Sequence, residues 1–276
     1  MSCITDLPGE RTGGALSECD CSFVIPAYNE EHRLPGTLEA ILDSGHRHGK
    51  SEIVVVDDGS SDSTVEVVQE YQRRAKNIRV VRLGGRHGKG FAVRSGVFAA
   101  RGEIIVICDA DLHQSVSEVP KLEDALQLSD IAIGSRWLGH FECTLQQPIG
   151  RRLSSRLLNK LTRSLLDLPF KDTQCGLKAV TRRAARQVFP LLTIRGWAYD
   201  IEFIHVALLQ GLRVQEVKLR ILHDYHQSRF RPMTDGWTTL WELMSIRWQQ
   251  TRGSYARQSL SLATAAAESS SNKSAA

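Results

Sequence analysis

The stretch that decides the fold is IVVVDDGSSD at residues 53–62. Its β-branched run predicts a buried strand, and the acidic and small residues that follow predict a turn that caps a helix. A second stretch, IIVICDADLHQ at residues 104–114, repeats this succession of an apolar run and an acidic turn. Two such units indicate strands that alternate with helices.

The alternation extends in both directions from these stretches. Short apolar strands are expected at residues 22–25, 53–56, 78–83, 104–107 and 131–133, and helices at 31–48, 63–74, 90–100 and 116–128. Strands separated by helices predict an α/β fold, with a mostly parallel central sheet flanked by helices. Since ligands bind beyond the carboxyl ends of the strands in such sheets, the residues just after each strand are the functional candidates.

The composition is that of a globular protein without the charge of a nucleic-acid binder. The 276 residues carry 35 Lys and Arg against 31 Asp and Glu, so the net charge is only +4. Six cysteines without a disulfide or CxxC pattern favour a reducing compartment. Neither a signal peptide nor a transmembrane helix is expected. We expect a flexible leader at 1–19, a main domain at 20–232, a helical segment at 233–258 and a disordered tail at 259–276.

Acidic and basic groups alternate among the predicted strand ends. Asp57 and Asp58 follow the second strand, GGRHGKG at 84–90 follows the third, and Asp109 and Asp111 follow the fourth. Each segment alone is weak evidence, because it is also ordinary turn, loop or helix-capping chemistry. Together they suggest a nucleotide site, since paired carboxylates need a cation and Mg²⁺ binds carboxylates plus substrate phosphates. Gly-rich turns with Lys or Arg suit the phosphates themselves.

Five segments in order carry a resemblance to a known family. They are FVIPAYNEE, VVVDDGSSDST, GKGFAVRSGVFAARGEIIVICDADL, GSR and KDTQCGLKAVTRRAA, and the likeness extends over about residues 21–225. The set resembles the family 2 inverting glycosyltransferases, and within them the dolichyl- or polyprenyl-phosphate glucosyl- and mannosyltransferases. The resemblance implies a GT-A fold at 20–232 and transfer of a hexose, glucose before mannose, from UDP-glucose or GDP-mannose to a polyprenyl phosphate.

The resemblance also implies a nucleotide-sugar pocket and a metal site. The pocket would be formed by Pro26, Tyr28, Glu30, Asp57, Asp58, Lys89 and Asp109. Asp109, Asp111 and His113 would hold Mg²⁺ or Mn²⁺. His113 stands where the mannosyltransferases have a Gln, and imidazole suits Mn²⁺ better than Mg²⁺.

The acceptor side of the site is predicted from the same likeness. Arg136 of the GSR motif, with Arg229 and Arg231, would hold an acceptor phosphate, although Arg136 alone would equally suit an ordinary ion pair. A phosphate monoester is already anionic and needs little general base, whereas a hydroxyl acceptor needs a carboxylate such as Asp111 or Asp172. The predicted catalytic residues are therefore Asp111, Arg136 and Asp172.

Two segments bear on membrane association. Residues 150–166 predict a basic amphipathic helix, which packs on the core or lies on an anionic membrane surface. Residues 237–248 contain three Trp at near-helical spacing, which suit a core or an interface. A lipid acceptor implies a peripheral enzyme at the cytoplasmic face of a membrane, bound directly or through a membrane partner protein.

Other functions remain open from the sequence. A glycosyltransferase with a soluble or protein-borne acceptor would share every motif above. A nucleotidyltransferase is disfavoured, because PAYNEE at 26–31 stands where a Gly-rich basic signature is expected. A non-catalytic nucleotide-sugar sensor or partner subunit is disfavoured by the intact acids and Arg136.

Overall fold

The structure, a computed structural model, describes residues 19–44, 50–138, 159–160, 162–220, 232–256 and 258, with the backbone alone over 232–236. The strands are β1 Cys21–Ala27, β2 Ser51–Asp57, β3 Ile78–Arg82, β4 Ile104–Cys108, β5 Ile131–Ser135, β6 Leu177–Thr181 and β7 Val214–Lys218. The α-helices are α1 Leu34–Asp43, α2 Thr64–Arg74, α3 Lys89–Ala99, α4 Val119–Ala125, α5 Arg182–Val188, α6 Tyr199–Leu209 and α7 Pro232–Thr251. Short 3₁₀ turns span His113–Glu118 and Phe189–Leu191.

The strands form a seven-stranded sheet in the order β3-β2-β1-β4-β6-β5-β7. Val54 and Val56 of β2 face one core cluster, and Ile53 and Val55 face the other, so the strand is buried on both sides. This is why β2 is a continuous apolar run without polar alternation. The predicted mostly parallel α/β sheet is confirmed, with β6 as its antiparallel member.

The predicted elements occur with shifted ends. All five predicted strands are present, and the helix expected at 116–128 is split into a 3₁₀ turn and α4. Pro120 lies in the first turn of α4, where its missing backbone N–H is tolerated, so it suits a helix that begins at Val119. The helix expected at 31–48 is observed as α1, again with a proline in its first turn.

Strand β6 was not predicted, and it shapes the site. It lies between β4 and β5 and runs antiparallel to both, with Leu177 opposite Cys108. The start of an antiparallel strand lies at the end of its parallel neighbours, so the segment 171–176 reaches the edge that carries Asp109 and Arg136. Thus the KDTQCG segment joins the carboxyl edge of the sheet through topology.

Helix α7 packs on the main core through Leu243 and Ile246. None of the described helices combines the length and the hydropathy needed to cross a bilayer. Several predictions lie outside the described residues, namely most of the leader, residues 150–158 of the basic helix, Arg229, Arg231 and the tail from 259.

Candidate active site

The turn after β2 holds the Gly-rich loop that follows β3. Both carboxylate oxygens of buried Asp58 accept backbone hydrogen bonds, from His87 N at 2.7 Å and Gly88 N at 2.9 Å. Gly59 has a φ of 77°, and a Cβ there would lie 2.7 Å from the carbonyl carbon of Gly85. Only glycine therefore allows the two segments to pack this closely. Asp57, also buried, accepts from Ser60 N at 3.0 Å, which is turn chemistry.

The end of β1 lies beside both acidic turns. The guanidinium of Arg86, from the Gly-rich loop, lies 4.4 Å from the centroid of the Tyr28 ring. Glu30 binds Arg33 through two hydrogen bonds, one of them 2.6 Å from Nε to Oε2. Arg33 Nη1 in turn lies 3.7 Å from Oδ2 of Asp111. These contacts place Tyr28 beside the Gly-rich loop and Glu30 near Asp111, and their role in a nucleotide pocket stays a prediction. Pro26 lies within β1, one residue before its end, and is in register with Val56 of β2.

Asp109, directly after β4, has one paired and one unpaired oxygen. Lys89 Nζ donates to its Oδ2 at 2.7 Å, while its Oδ1 is buried without a hydrogen-bond partner in the described part of the chain. Burial lowers the pKa of Lys89, but the carboxylates of Asp109, Asp200 and Asp111 outweigh burial and raise that pKa above its ordinary value. Lys89 is therefore a fixed cation at neutral pH, and Asp109 has a lone pair available for a ligand.

The wall beside Lys89 comes from the start of α6 and the residues just before it. Lys89 Nζ lies 5.4 Å from the Trp197 ring centroid and 5.8 Å from that of Tyr199. Behind this wall the buried Lys178 donates to Asp200 at 2.5 Å. The sequence does carry a sign of this ion pair, because a lysine within the apolar strand LKAVT would be buried and a buried cation requires a partner. Neither residue was among the predicted site residues.

The carboxylates at this edge fit a divalent cation only in part. Asp109 Oδ1 is an orphaned anionic oxygen, the donor type that Mg²⁺ and Mn²⁺ prefer, and Asp111 is half-buried two residues away. His113 is exposed at the start of its 3₁₀ turn. Across the described ranges, no three His, Cys, Asp or Glu side chains converge closely enough to hold a metal. The structure therefore does not gather Asp109, Asp111 and His113 into one ligand set, and the predicted set stays a prediction.

Arg136, directly after β5, is clamped by Asp172. Its Nε donates to Asp172 Oδ2 at 2.7 Å, its Nη2 to Oδ1 at 2.9 Å, and its backbone N to Oδ2 at 3.1 Å. Burial raises the pKa of Asp172, but the charge and hydrogen bonds of Arg136 outweigh it and hold the pKa below its usual value. A general base needs a pKa nearer neutrality. The geometry thus favours Asp172 as the residue that orients Arg136.

A cavity of about 270 Å³ opens beside Trp137, the residue that follows Arg136. It is lined by Trp137, Asn159, Lys160 and Arg163. The Nε of Arg163 is buried and has no hydrogen-bond partner among the described residues. A cavity with two cations and an aromatic wall suits an anion that carries an apolar group.

The sheet order and the acids at its carboxyl edge define the class of protein as an α/β nucleotide-binding fold of the GT-A type. Residues 22–189 match Glycosyl transferase family 2, and the chain belongs to this family. The predicted family is thereby confirmed.

Several curated relatives of this chain are dolichyl-phosphate beta-glucosyltransferases. A dolichyl-phosphate beta-glucosyltransferase of Mus musculus is 36% identical over 211 residues, covering 71% of this chain and 65% of the relative. One of Dictyostelium discoideum is 30% identical over 246 residues, covering 84% and 75%. The chain thus spans about two thirds to three quarters of the length of these relatives.

A solved structure shares the architecture. It is the glucosyl-3-phosphoglycerate synthase from Mycobacterium tuberculosis in complex with Mn²⁺, UDP-glucose and phosphoglyceric acid. The TM-score is 0.60 at 23% sequence identity, over 83% of this chain and 78% of that chain. This likeness confirms the GT-A fold.

Proposed function

We propose that this protein transfers glucose from UDP-glucose to a polyprenyl phosphate of the dolichyl type, with inversion and with a divalent metal. Support for the sugar and the acceptor comes from relatives named dolichyl-phosphate beta-glucosyltransferase at 30–36% identity. The observation that carries the proposal is the Asp109 carboxylate, which is paired with Lys89 through one oxygen and has the other buried and unpaired. Such a half-satisfied acid at the carboxyl edge needs a ligand.

The donor would lie across the ends of β1, β2 and β4. Asp58 shapes the Gly-rich loop so that Lys89 reaches the edge, where its charge attracts a diphosphate. Asp109 and Asp111 would hold Mg²⁺ or Mn²⁺, which would neutralise charge on the leaving nucleoside diphosphate. Tyr28, with Glu30 and Asp57, would contact the nucleoside, as the family likeness implies.

The acceptor would enter beside Arg136. Asp172 fixes the guanidinium plane of Arg136, and the neighbouring cavity adds Lys160 and Arg163. A phosphate monoester held there is already a nucleophile, so no carboxylate has to remove a proton. Positioning and charge neutralisation then supply most of the rate acceleration. Arg229 and Arg231 stay predictions for the same phosphate.

A lipid-linked acceptor also requires contact with a membrane. We propose that the protein works as a peripheral enzyme at the cytoplasmic face of a membrane, where both a soluble nucleotide sugar and a lipid phosphate are accessible. The contact is direct or is assisted by a membrane partner protein. The small net charge of +4 argues against nucleic acid as the partner.

The test is a transfer assay with the full chain. UDP-glucose and GDP-mannose are each supplied with Mg²⁺, Mn²⁺ or EDTA, with and without a short polyprenyl phosphate. We expect a glucolipid only when UDP-glucose, a divalent cation and the lipid phosphate are all present, with the β anomer seen by NMR. Transfer to water-soluble phosphates alone would replace the acceptor, and transfer from GDP-mannose alone would replace the donor.

Matched variants show whether Asp109 acts as proposed. Asp109→Asn keeps the side-chain volume but removes the charge, and we expect transfer to fall by about 10² or more. Asp130→Asn makes the same change at the opposite edge of the sheet, where Asp130 accepts from Arg213 N at 2.9 Å. This control should keep transfer. Equal activity of both variants would contradict the site assignment.

A further inference from the structure

Helix α7 carries a line of large exposed side chains. They are Trp237 at 76% exposure, Trp241 at 79%, Met244 at 50% and Trp248 at 55%. At about 100° per residue these positions fall within about 60° of one another on the helix surface. The opposite side of the helix is buried and holds Leu243 and Ile246 in the core. The exposed line, named here the tryptophan face, is thus a fixed surface of the fold.

The side-chain chemistry of this face suits a lipid interface. Large exposed apolar patches on proteins mark contact surfaces. Tryptophan in particular has an apolar ring and an N–H donor, and it concentrates at the level of lipid headgroups. The methionine between the rings is flexible and adapts to an irregular surface such as lipid.

Charge around the tryptophan face supports an anionic partner. From 237 to 256 the charged residues are Glu242, Arg247 and Arg252. Arg252 lies over the Trp248 ring, with its guanidinium carbon 4.0 Å from the centroid. Glu242 instead turns inward and accepts from Ala198 N at 3.0 Å. Between residues 237 and 256, Arg252 therefore borders the face and the acid Glu242 turns away from it, which is complementary to anionic headgroups.

The other side of α7 braces the candidate active site. Glu242 holds the backbone of Ala198, next to Trp197, whose ring lies 5.4 Å from Lys89 Nζ. Gln249 Nε2 donates to Thr193 Oγ1 at 2.9 Å in the same loop. A membrane under the tryptophan face would therefore lie one helix away from the wall of the donor site.

We propose that the tryptophan face docks into the headgroup region of an anionic bilayer. Docking there brings the carboxyl edge of the sheet to the level of lipid phosphates, so that the acceptor phosphate reaches the site while its chain stays in the bilayer. The reason for docking rests on the proposed lipid-phosphate acceptor. The choice of the docking surface rests on the exposed side chains of α7.

The test compares two triple variants of the full chain in co-sedimentation with phosphatidylcholine vesicles, with and without phosphatidylserine. One variant is Trp237→Gln with Trp241→Gln and Trp248→Gln. The matched control replaces three exposed apolar residues elsewhere, by Phe98→Gln, Leu128→Gln and Leu209→Gln. We expect vesicle partitioning to weaken at least about tenfold in the first variant only. Circular dichroism should be unchanged, since the replaced rings do not pack in the core.

Two further measurements distinguish docking on lipid from self-association of the chain. Arg252→Glu should weaken binding to phosphatidylserine vesicles more than to neutral ones. Equal partitioning of wild type and the tryptophan variant would overturn the proposal. So would a wild-type dimer that dissociates on substitution in light scattering, because the face would then cover a second copy of the chain.

Activity distinguishes failure of the docking from failure of the proposed function. The tryptophan variant should keep transfer to a detergent-dispersed polyprenyl phosphate and lose transfer to the same lipid in vesicles. Loss of transfer in detergent as well would show that the tryptophan face stabilises the active site, and it would overturn docking. Vesicle binding through the face by a protein that never glucosylates the lipid would leave docking intact and refute the proposed function alone.

Discussion

Gly176→Ala tests whether the Asp109 carboxylate is placed for catalysis. Gly176 precedes β6, its carbonyl accepts from Asp109 N at 3.2 Å, and its Cα faces the Asp109 side chain. A Cβ added there would lie 2.3 Å from Oδ2 and 2.7 Å from Cγ of Asp109. The φ of Gly176 is not in the left-handed region, so the substitution acts through this contact and not through backbone strain.

The structure sets the size of the effect. Carbon–oxygen contacts are normally about 3.3–3.6 Å, so Oδ2 must move by about 1 Å. The 2.7 Å bond to Lys89 then breaks. A hydrogen bond to a charged group contributes about 1.5–3 kcal/mol, and partial exposure of both side chains places this one near about 1–2 kcal/mol. Displacement of a positioned group by about 1 Å reduces turnover by about 10².

The assay is glucolipid formation together with urea unfolding. Gly211→Ala is the stability-matched control, because Gly211 has a φ of 71° with open space around it. Left-handed geometry costs a non-glycine residue about 1–2 kcal/mol. We expect similar losses of stability in both variants and loss of transfer in Gly176→Ala alone. Full transfer by a folded Gly176→Ala protein would refute the placement of Asp109 at the reacting diphosphate.

Three further variants probe the carboxylates around the site. Asp58→Ala removes both acceptors of the Gly-rich loop, so we expect a loss of about 2 kcal/mol and weaker UDP binding by calorimetry; unchanged UDP affinity would count against the loop. Arg136→Met leaves buried Asp172 unpaired, with a loss of about 3–5 kcal/mol at pH 7. Since Asp172 has a lowered folded pKa, the Arg136 contribution is present above about pH 4 and fades below it, so unfolding curves of the two proteins should converge in acid. Glu202→Gln exchanges an acceptor for a donor facing Ile194 N, at 2.8 Å, so a loss of about 1–3 kcal/mol is expected in urea.

The sheet could be predicted because its strands are buried on both sides. Runs such as residues 53–56 and 104–107 have no polar residue to mimic a helix period, and acidic turns end them. Strand β6 escaped prediction because Lys178 interrupts its apolar run and because a single sequence does not state strand direction. Asp200, the ion-pair partner of Lys178, lies 22 residues further along the chain, in a helix. The sequence motif did not indicate which way that helix faces.

The position of the candidate residues at the sheet edge could be predicted from the sequence, but their hydrogen-bond partners could not. Asp58, Lys89 and Asp109 all lie at the expected edge, since each follows a strand directly or follows the loop after one. Which oxygen binds which donor depends on contacts between distant residues, as for Asp58 with Gly88 or Arg136 with Asp172. Such contacts depend on loop geometry, which periodicity does not encode.

The acids of this site differ in whether their carboxylate oxygens already accept hydrogen bonds. This difference separates the acids with a structural role from the acid proposed to bind the donor. Asp58 uses both oxygens to hold the Gly-rich loop, and Asp172 uses both on Arg136. Glu202 accepts from Thr193, Ile194 and Tyr255, and burial raises its pKa. Each of these acids holds neighbouring segments in place and has few lone pairs left to bind a substrate. Asp109 differs, because a buried anionic oxygen without a partner is unfavourable in the protein alone and becomes favourable when a cation or substrate satisfies it. We therefore propose that the donor binds at this unsatisfied acid, and not simply where acids are most numerous.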